Sequence, residues 1–395
     1  MTLISFLYLT QLEEYEIHRI KNWVLNHPNT EVPQIKKKLI WTPKIKILNI
    51  IAKILFFVPH DKSVIIGIYL LKPLDWLFKQ IIITFAFLKL KLLHPHLIII
   101  AITGSCGKTT TKDTLYDLVS FKYRTKATTG NHNTILGICQ DILKLSINTQ
   151  YFIAEIGAYY PGDITKVAKV INPKFGIVTS IGPMHLERFG TIENILKTKM
   201  ELSQTINKNG KIFLPDNIQQ KIFHIRLKSK NIIFFKNIYQ VYQDICQQLG
   251  IDNEIYNKII SSRSSSDHRL QVTKNGTITI IDDSYNSNPD GFKLALNTLK
   301  NIKSDNKILV TPGMIELGSL QNSENTRLAK IAGTICHHII VVGQTNKNSL
   351  SKGLKNTRSK IYFANHLSEV KKLLSNIITT NTVVLFENDL PDNYL

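Results

Sequence analysis

The sequence predicts an α/β protein: an ATPase domain on a parallel sheet, a second α/β domain behind it, and a helical, basic and apolar segment in front. Three observations predict this class. From residue 97 onward, short β-branched apolar runs alternate with helix-like segments. A Gly-rich loop stands between the first such run and its helix. Residues 1–96 instead carry long apolar runs broken by lysines, with no such alternation.

Length and charge set the outer bounds. The 395 residues suffice for two or three domains, each with its own core. With 43% hydrophobic and 20% charged residues, the chain is neither a disordered tail nor a fibre. The net charge of +20 fits nucleic acid, an anionic membrane or a phosphorylated substrate, and also a genome that favours Ile, Lys and Asn. Residues 1–100 hold +7 of it, from 13 basic and 6 acidic side chains, and are per residue the more basic part. Cys106, Cys139, Cys246 and Cys336 lie far apart with no C-x-x-C pair, which disfavours a zinc ribbon or a disulfide framework and fits a reducing cytoplasm. The first twenty residues lack the basic n-region and cleavage site of a secretory signal.

The elements follow in order. KIKILNIIAKILFFVP and SVIIGIYLLKPLDWLFKQIIITFAFLKLKLL read as helices. Lys53 interrupts the first, and Lys72, Asp75 and Lys79 the second, so neither offers an uninterrupted span of about 20 apolar residues. Basic, Trp-containing amphipathic helices lying on a membrane surface fit this pattern, as does a buried hairpin with snorkelling lysines. Strands are expected at 97–103, 151–157, 175–182 and 210–215, with helices between them. The polar run 261–269 is the linker candidate, and strand–helix alternation restarts beyond it. The domains expected are therefore 1–96, 97–266 and 267–395.

The strongest local motif is Gly104-Ser105-Cys106-Gly107-Lys108-Thr109-Thr110, between strand and helix. Such a loop aims backbone N–H groups and the positive end of a helix at one point, which holds phosphate. Lys108 would reach the outer phosphates and the Thr109 hydroxyl would ligate magnesium. The chain has Ile102 where the full P-loop pattern has its first Gly. Glu155 ends an apolar strand, where an open α/β sheet places its ligands; it reads either as a magnesium ligand or as a capping or ion-paired carboxylate. His185 follows another strand end and reads as a second-site metal ligand or a plain polar contact. Lys199 and Lys197 sit on one expected helix. Asn286, in an Asx-rich turn closed by Pro289, reads as a nucleotide contact or a turn residue.

These blocks resemble the Mur ligases. The similarity runs through AITGSCGKTTTKDTL, TTGNHNTILG, AEIGAYYPGDI, TSIGPMHLERFGTIENILKTKMEL and IDDSYNSNPDGF, in the family's order, over about 100–395. EIGAYYPGDI with DDSYNSNP is most similar to the MurF-type members, which add D-alanyl-D-alanine to a muramoyl peptide. The resemblance implies a P-loop ATPase domain followed by a Rossmann-like domain, and an ATP-dependent ligase that forms an amide through an acyl phosphate. It implies magnesium at Thr109, Glu155 and His185, and a carbamylated Lys199 that also helps to hold the metal. Catalysis falls to Lys108, Lys199 and His185. Nucleotide binding falls to the loop from Gly104 to Thr110 and to Arg269, Asp283 and Asn286. Asn131 and Asn133 contact the carboxylate substrate.

The chain also departs from the pattern. N-x-N-N-x-x-G-x-P lacks here its second paired Asn and its Pro. Asn325 stands where a His is common, and TPGM replaces G-D-M. The α/β domain that binds UDP-sugar in this family is not visible in residues 1–96. A lipid-linked acceptor, or another amide product, is therefore a second expectation. The expected partners are a muramoyl-peptide-like carboxylate, an amino-acid or dipeptide amine and an anionic membrane surface on the cytoplasmic side, with no nucleic acid. Two other classes compete: a nucleic-acid-dependent ATPase, which stimulation by DNA or RNA would reveal, and a non-catalytic membrane scaffold, against which the joint presence of Lys108, Thr109, Glu155, His185 and Lys199 argues.

Overall fold

The computed structural model describes all residues except 29, 35–37, 131, 208, 223–230, 263–268, 286 and 395. The chain divides into two compact units, residues 1–80 with 389–395, and residues 81–388. Most of the expected linker lies outside the described residues. The long helix His60–Leu93 ends just before the expected junction at residue 97, while the two compact units divide within it, between Gln80 and Ile81.

The first unit is helical. It contains α1 (Leu3–Leu12), α2 (Ile17–Asn26), α3 (Pro43–Ile54) and the first part of α4 (His60–Leu93). Thr2 and Thr42 cap α1 and α3 with their hydroxyls, and Pro43 occupies the first turn, where its missing N–H costs nothing. Phe6, Tyr8, Leu9, Ile20, Ile45 and Leu48 form its core. Gly67 lets α4 approach α3, since a Cβ there would lie 2.8 Å from Leu48. The C-terminal residues join this core: the Tyr8 hydroxyl donates to Asp392 at 2.6 Å and the Trp23 indole to the Asn393 carbonyl at 2.9 Å. No strand precedes Ile98, and no helix is long and apolar enough to cross a membrane, among the described residues.

The second unit carries two six-stranded sheets. The first comprises β1 (Ile98–Thr103), β2 (Thr125–Ala127), β3 (Tyr151–Glu155), β4 (Phe175–Val178), β5 (Lys211–Pro215) and β6 (Asn231–Phe235). Their order is β2-β3-β1-β4-β5-β6, all parallel. β1 is buried along nearly its whole length, as a parallel strand covered on both faces must be. Helices α5 (Lys108–Ser120), α6 (Ile135–Leu143), α7 (Asp163–Ile171), α8 (Leu186–Phe189), α9 (Ile192–Thr205), α10 (Ile238–Gln248) and α11 (Asn253–Ser262) follow the strands. The last turns of α4 bury Ala86 and Leu90 in the core beside Ile138 and Phe152. Chain order reverses on either side of β1, and Ile102 pairs with Glu155, so the loops after β1, β3 and β4 open into one crevice.

The second sheet has the order β11-β10-β9-β12-β8-β7. Its strands are β7 (Gln271–Asn275), β8 (Ile278–Asp283), β9 (Asn306–Thr311), β10 (His338–Val342), β11 (Lys360–Ala364) and β12 (Thr382–Glu387), and β7 is an antiparallel edge. Helices α12 (Pro289–Asn301), α13 (Gln321–Ile335), α14 (Lys347–Leu354) and α15 (Leu367–Ile377) connect them. Strands β3 and β4 stop earlier than expected, at Glu155 and Val178. The residues beyond them bond instead to neighbouring loops: Gly157 N–H donates to the Asn133 carbonyl, and Ser180 accepts from Cys106 N–H.

Candidate active site

The phosphate loop is shaped by two glycines. Gly104 has φ +149°, and a Cβ on it would stand 2.0 Å from the Thr179 hydroxyl, so no side chain fits without displacing β4's exit. Gly107 caps α5 in the left-handed region at φ +79°, which turns the first-turn N–H groups of α5 outward. The loop is fastened to the exit of β4. Ser105 Oγ donates to the Gly182 carbonyl and accepts from Gly182 N–H, at 3.0 and 3.1 Å, while Cys106 N–H donates to Ser180 Oγ at 2.8 Å. Lys108 Nζ donates to the Gly104 carbonyl at 3.0 Å, folded back over its own loop. Burial pushes its ammonium down, and the nearby Glu155 opposes that shift.

Glu155 is buried at the end of β3, and its Oε2 accepts from the Thr109 hydroxyl at 2.8 Å. Lys112, one helical turn beyond Lys108, is also buried and stands 3.9 Å from the same oxygen. It also donates to the Thr128 and Gly130 carbonyls, both at 3.2 Å, so it joins the carboxylate to the loop after β2. Among the described residues no group of three His, Cys, Asp or Glu side chains gathers as a metal cage. The Thr109–Glu155 oxygen pair nevertheless suits magnesium, which keeps its waters and binds through one or two protein oxygens plus phosphates.

Lys199 and Lys197 separate cleanly on α9. Lys197 is exposed and pairs with Glu193 at 2.8 Å, one turn earlier. Lys199 is buried, and its ammonium is pushed down to about 7, mainly by burial and then by the charge of Lys108, against Asp163 and Glu201. Glu201 holds the start of α7 through Gly162 N–H and Thr165 N–H, at 2.6 and 2.9 Å. His185 has a left-handed backbone at φ +50°, and its Nδ1 is hydrogen-bonded to Glu316, whose own φ is +61°. Tyr159 packs edge-on to the imidazole at 5.0 Å between ring centroids, and Arg188 lies 4.0 Å over the Tyr159 ring. Burial lowers the affinity of His185 for a proton, with Glu316 opposing.

The second sheet's leading edge meets this crevice. Asp283, at the end of β8, accepts from Leu270 N–H at 3.0 Å, and Arg269 lies 4.2 Å over the Tyr285 ring. Asn288 caps α12 through Gly291 N–H at 2.9 Å and bonds the Cys106 thiol of the phosphate loop.

With this geometry in place, the comparisons with known proteins bear directly on it. Residues 102–282 match the Mur ligase middle domain, and residues 268–387 match the Mur ligase, glutamate ligase domain; together they cover well over half of the chain. The chain belongs to the Mur ligase family. A UDP-N-acetylmuramoyl-tripeptide--D-alanyl-D-alanine ligase of Rickettsia prowazekii is 27% identical over 325 residues, 70% of this chain and 71% of that protein. The Bacillus subtilis ligase of the same name is 27% identical over 264 residues, 57% of this chain and 58% of that one. MurF from Acinetobacter baumannii shares the fold, with a TM-score of 0.69 at 22% identity over 79% of this chain and 77% of that one. So does the Thermotoga maritima MurF ligase, solved in complex with ADP, with a TM-score of 0.68 at 23% identity over 79% and 80%.

Not every residue expected from the Mur ligase pattern can be placed. Asn131 and Asn286 lie outside the described residues. Asn133 is seated against Gly157, whose missing side chain makes room for it: a Cβ there would be 2.9 Å from the Asn133 amide. Asn325, the departure from His, is fully buried and does structural work. It accepts from Met314 N–H and donates to the Met314 carbonyl, at 2.8 and 2.9 Å, clamping the TPGM turn. Sequence reasoning missed Lys112, Arg188 and the role of Glu316. Lys112 had one available signal, its i+4 spacing from Lys108 on the same helix face. It missed too the pair Asp283–Glu387, neighbours in register across β8 and β12.

Proposed function

We propose that this Mur ligase joins D-alanyl-D-alanine, or a closely related amine, to the carboxylate of a muramoyl peptide, consuming ATP and releasing ADP and phosphate. The observation that carries the reading is the Thr109–Glu155 oxygen pair at the mouth of the phosphate loop, with Lys108 and Lys199 in the same electrostatic field. The acceptor carboxylate takes the γ-phosphoryl group from ATP. The amine then attacks the acyl carbon, phosphate leaves, and the amine's proton passes to solvent.

Lys108 and the first-turn N–H groups of α5 bind the phosphates and hold them in line with the carboxylate. Magnesium, when held by Thr109 and Glu155, supplies charge neutralisation at the phosphates. With its ammonium pushed down to about 7, Lys199 has its free-amine form available near neutral pH. That free amine is the form that captures CO2, losing a proton to become an anionic carbamate, and burial favours it. Arg269 and Asp283 contact the nucleotide from the second sheet, and Asn131, Asn133 and Asn286 complete the substrate and nucleotide contacts. The reaction belongs in the cytoplasm, where ATP is available.

A second reading concerns the carrier of the carboxylate. The regular elements described before Ile98 are all helices, and a lipid-linked acceptor is the alternative to a UDP-linked one. Both acceptors, each supplied with ATP and D-alanyl-D-alanine, decide the matter through phosphate release and product mass. Phosphate release should require acceptor and amine together, and Lys108→Ala should lower it by about a hundred- to a thousandfold. ATP turnover that is indifferent to the amine, or unchanged in Lys108→Ala, would overturn the ligase reading.

A further inference from the structure

Exposed apolar side chains are concentrated in one stretch of the chain. Of the 33 large apolar side chains that stand exposed among the described residues, 20 lie between Ile40 and Leu93. Helices α3 and α4 meet through Leu48, Ala52, Val64 and Ile68, with Gly67 at their closest approach. That seam leaves Ile47, Ile50 and Ile54 of α3 facing outward, followed by Phe56 and Phe57, which are 83% and 72% exposed. On α4 every residue from Trp76 to Ile81 is exposed.

The exposed charges in the same stretch are all of one sign. Each exposed charged side chain from Ile40 to Leu93 is a lysine, at positions 46, 53, 62, 72, 79 and 91. The two acids, Asp61 and Asp75, are half-buried, and Asp75 is paired with Lys44. Lysines with long apolar stems among Trp, Phe and Ile suit an interface where stems enter the acyl boundary and ammonium groups reach lipid phosphates. Self-pairing of this face would bring lysines against lysines, and neither helix can cross a bilayer.

We propose that α3 and the part of α4 up to Gln80 form a docking surface for an anionic bilayer, lying in its interface rather than spanning it. This inference is independent of the ligase reading, because its test needs neither ATP nor acceptor. The full-length protein is floated with vesicles of phosphatidylglycerol and phosphatidylcholine, with pure phosphatidylcholine vesicles as the control, at low and high salt. Binding should require the anionic lipid, weaken with salt, and shift Trp emission to the blue. Lys72→Glu combined with Lys79→Glu should weaken partition about a hundredfold or more, since two lysine attractions are lost and two repulsions are gained. Because both lysines are exposed, that variant should retain the native circular dichroism spectrum and ligase activity. Failure to float at low salt, or equal binding to neutral vesicles, would overturn the proposal. So would a concentration-dependent dimer whose Trp emission is already blue-shifted without lipid.

Discussion

Lys199 concentrates the tension between stability and chemistry in a single side chain. A lysine held near pKa 7 when folded and near 10.4 when unfolded binds fewer protons in the native state across that window. Stability therefore rises with pH from about 7 to 10, and the full penalty is present below pH 7. Its ceiling is roughly 4–5 kcal/mol, at about 1.36 kcal/mol per pKa unit. Lys199→Met, compared with the parent by thermal unfolding in CO2-free buffer, should melt higher at pH 6–7, and the gain should vanish toward pH 10. The same variant should lose ligation. A Lys199→Met protein that melts lower than the parent at pH 6 would show that burial does not penalise the charged lysine.

At the scale of elements, β8 and β12 place Asp283 and Glu387 side by side in register, both largely withdrawn from water. Burial raises both: Asp283 reaches about 6 although its bond with Glu387 opposes the shift, and Glu387 is pushed well above the usual carboxyl range by burial and by the charge of Asp283. A raised carboxyl pKa costs stability as pH climbs past the unfolded value near 4.3. Glu387→Gln, a neutral isostere whose oxygen still accepts from Ser287, should therefore be more stable than the parent at pH 7 and match it near pH 4. Glu387→Ala should lose about 1–3 kcal/mol, because Ser287 forfeits its buried acceptor. Urea unfolding of both variants at pH 4 and pH 7 checks the pair. The substitutions matter to the site because Asp283 and Asn288 flank the turn that reaches the phosphate loop.

For the whole molecule, the two chain ends share one core. Residues 389–394 close on α1 and α2 through Asp392 and Asn393, far in sequence from their partners Tyr8, Trp23 and Glu13. Tyr8→Phe removes a buried hydroxyl donated to a carboxylate and should cost about 1.5–3 kcal/mol. Hydrogen exchange should speed in α1 and α2 while nucleotide affinity, set in the other compact unit, stays unchanged. An equal loss of protection in α5 would mean that the two units do not unfold separately.

Apolar runs and the glycine pattern were enough to read β1, β3, β4 and β5, the phosphate loop, and the helices on either side of it, because a strand buried on both faces must be continuously apolar. β2 was not legible, being three residues long, and β11 carries only one fully buried residue. The family's spacing marked Lys199, but periodicity alone left it level with Lys197; only packing decided which lysine is buried and which pairs with Glu193. The same holds for Lys112, for the bond between His185 and Glu316, and for Asn325, whose clamp on Met314 depends on a turn folding back upon it. Local sequence determines which backbone conformations and apolar faces are favourable. Burial, and with it charge state and hydrogen-bond partnership, depends on residues distant in the chain, and the tertiary structure alone brings those together.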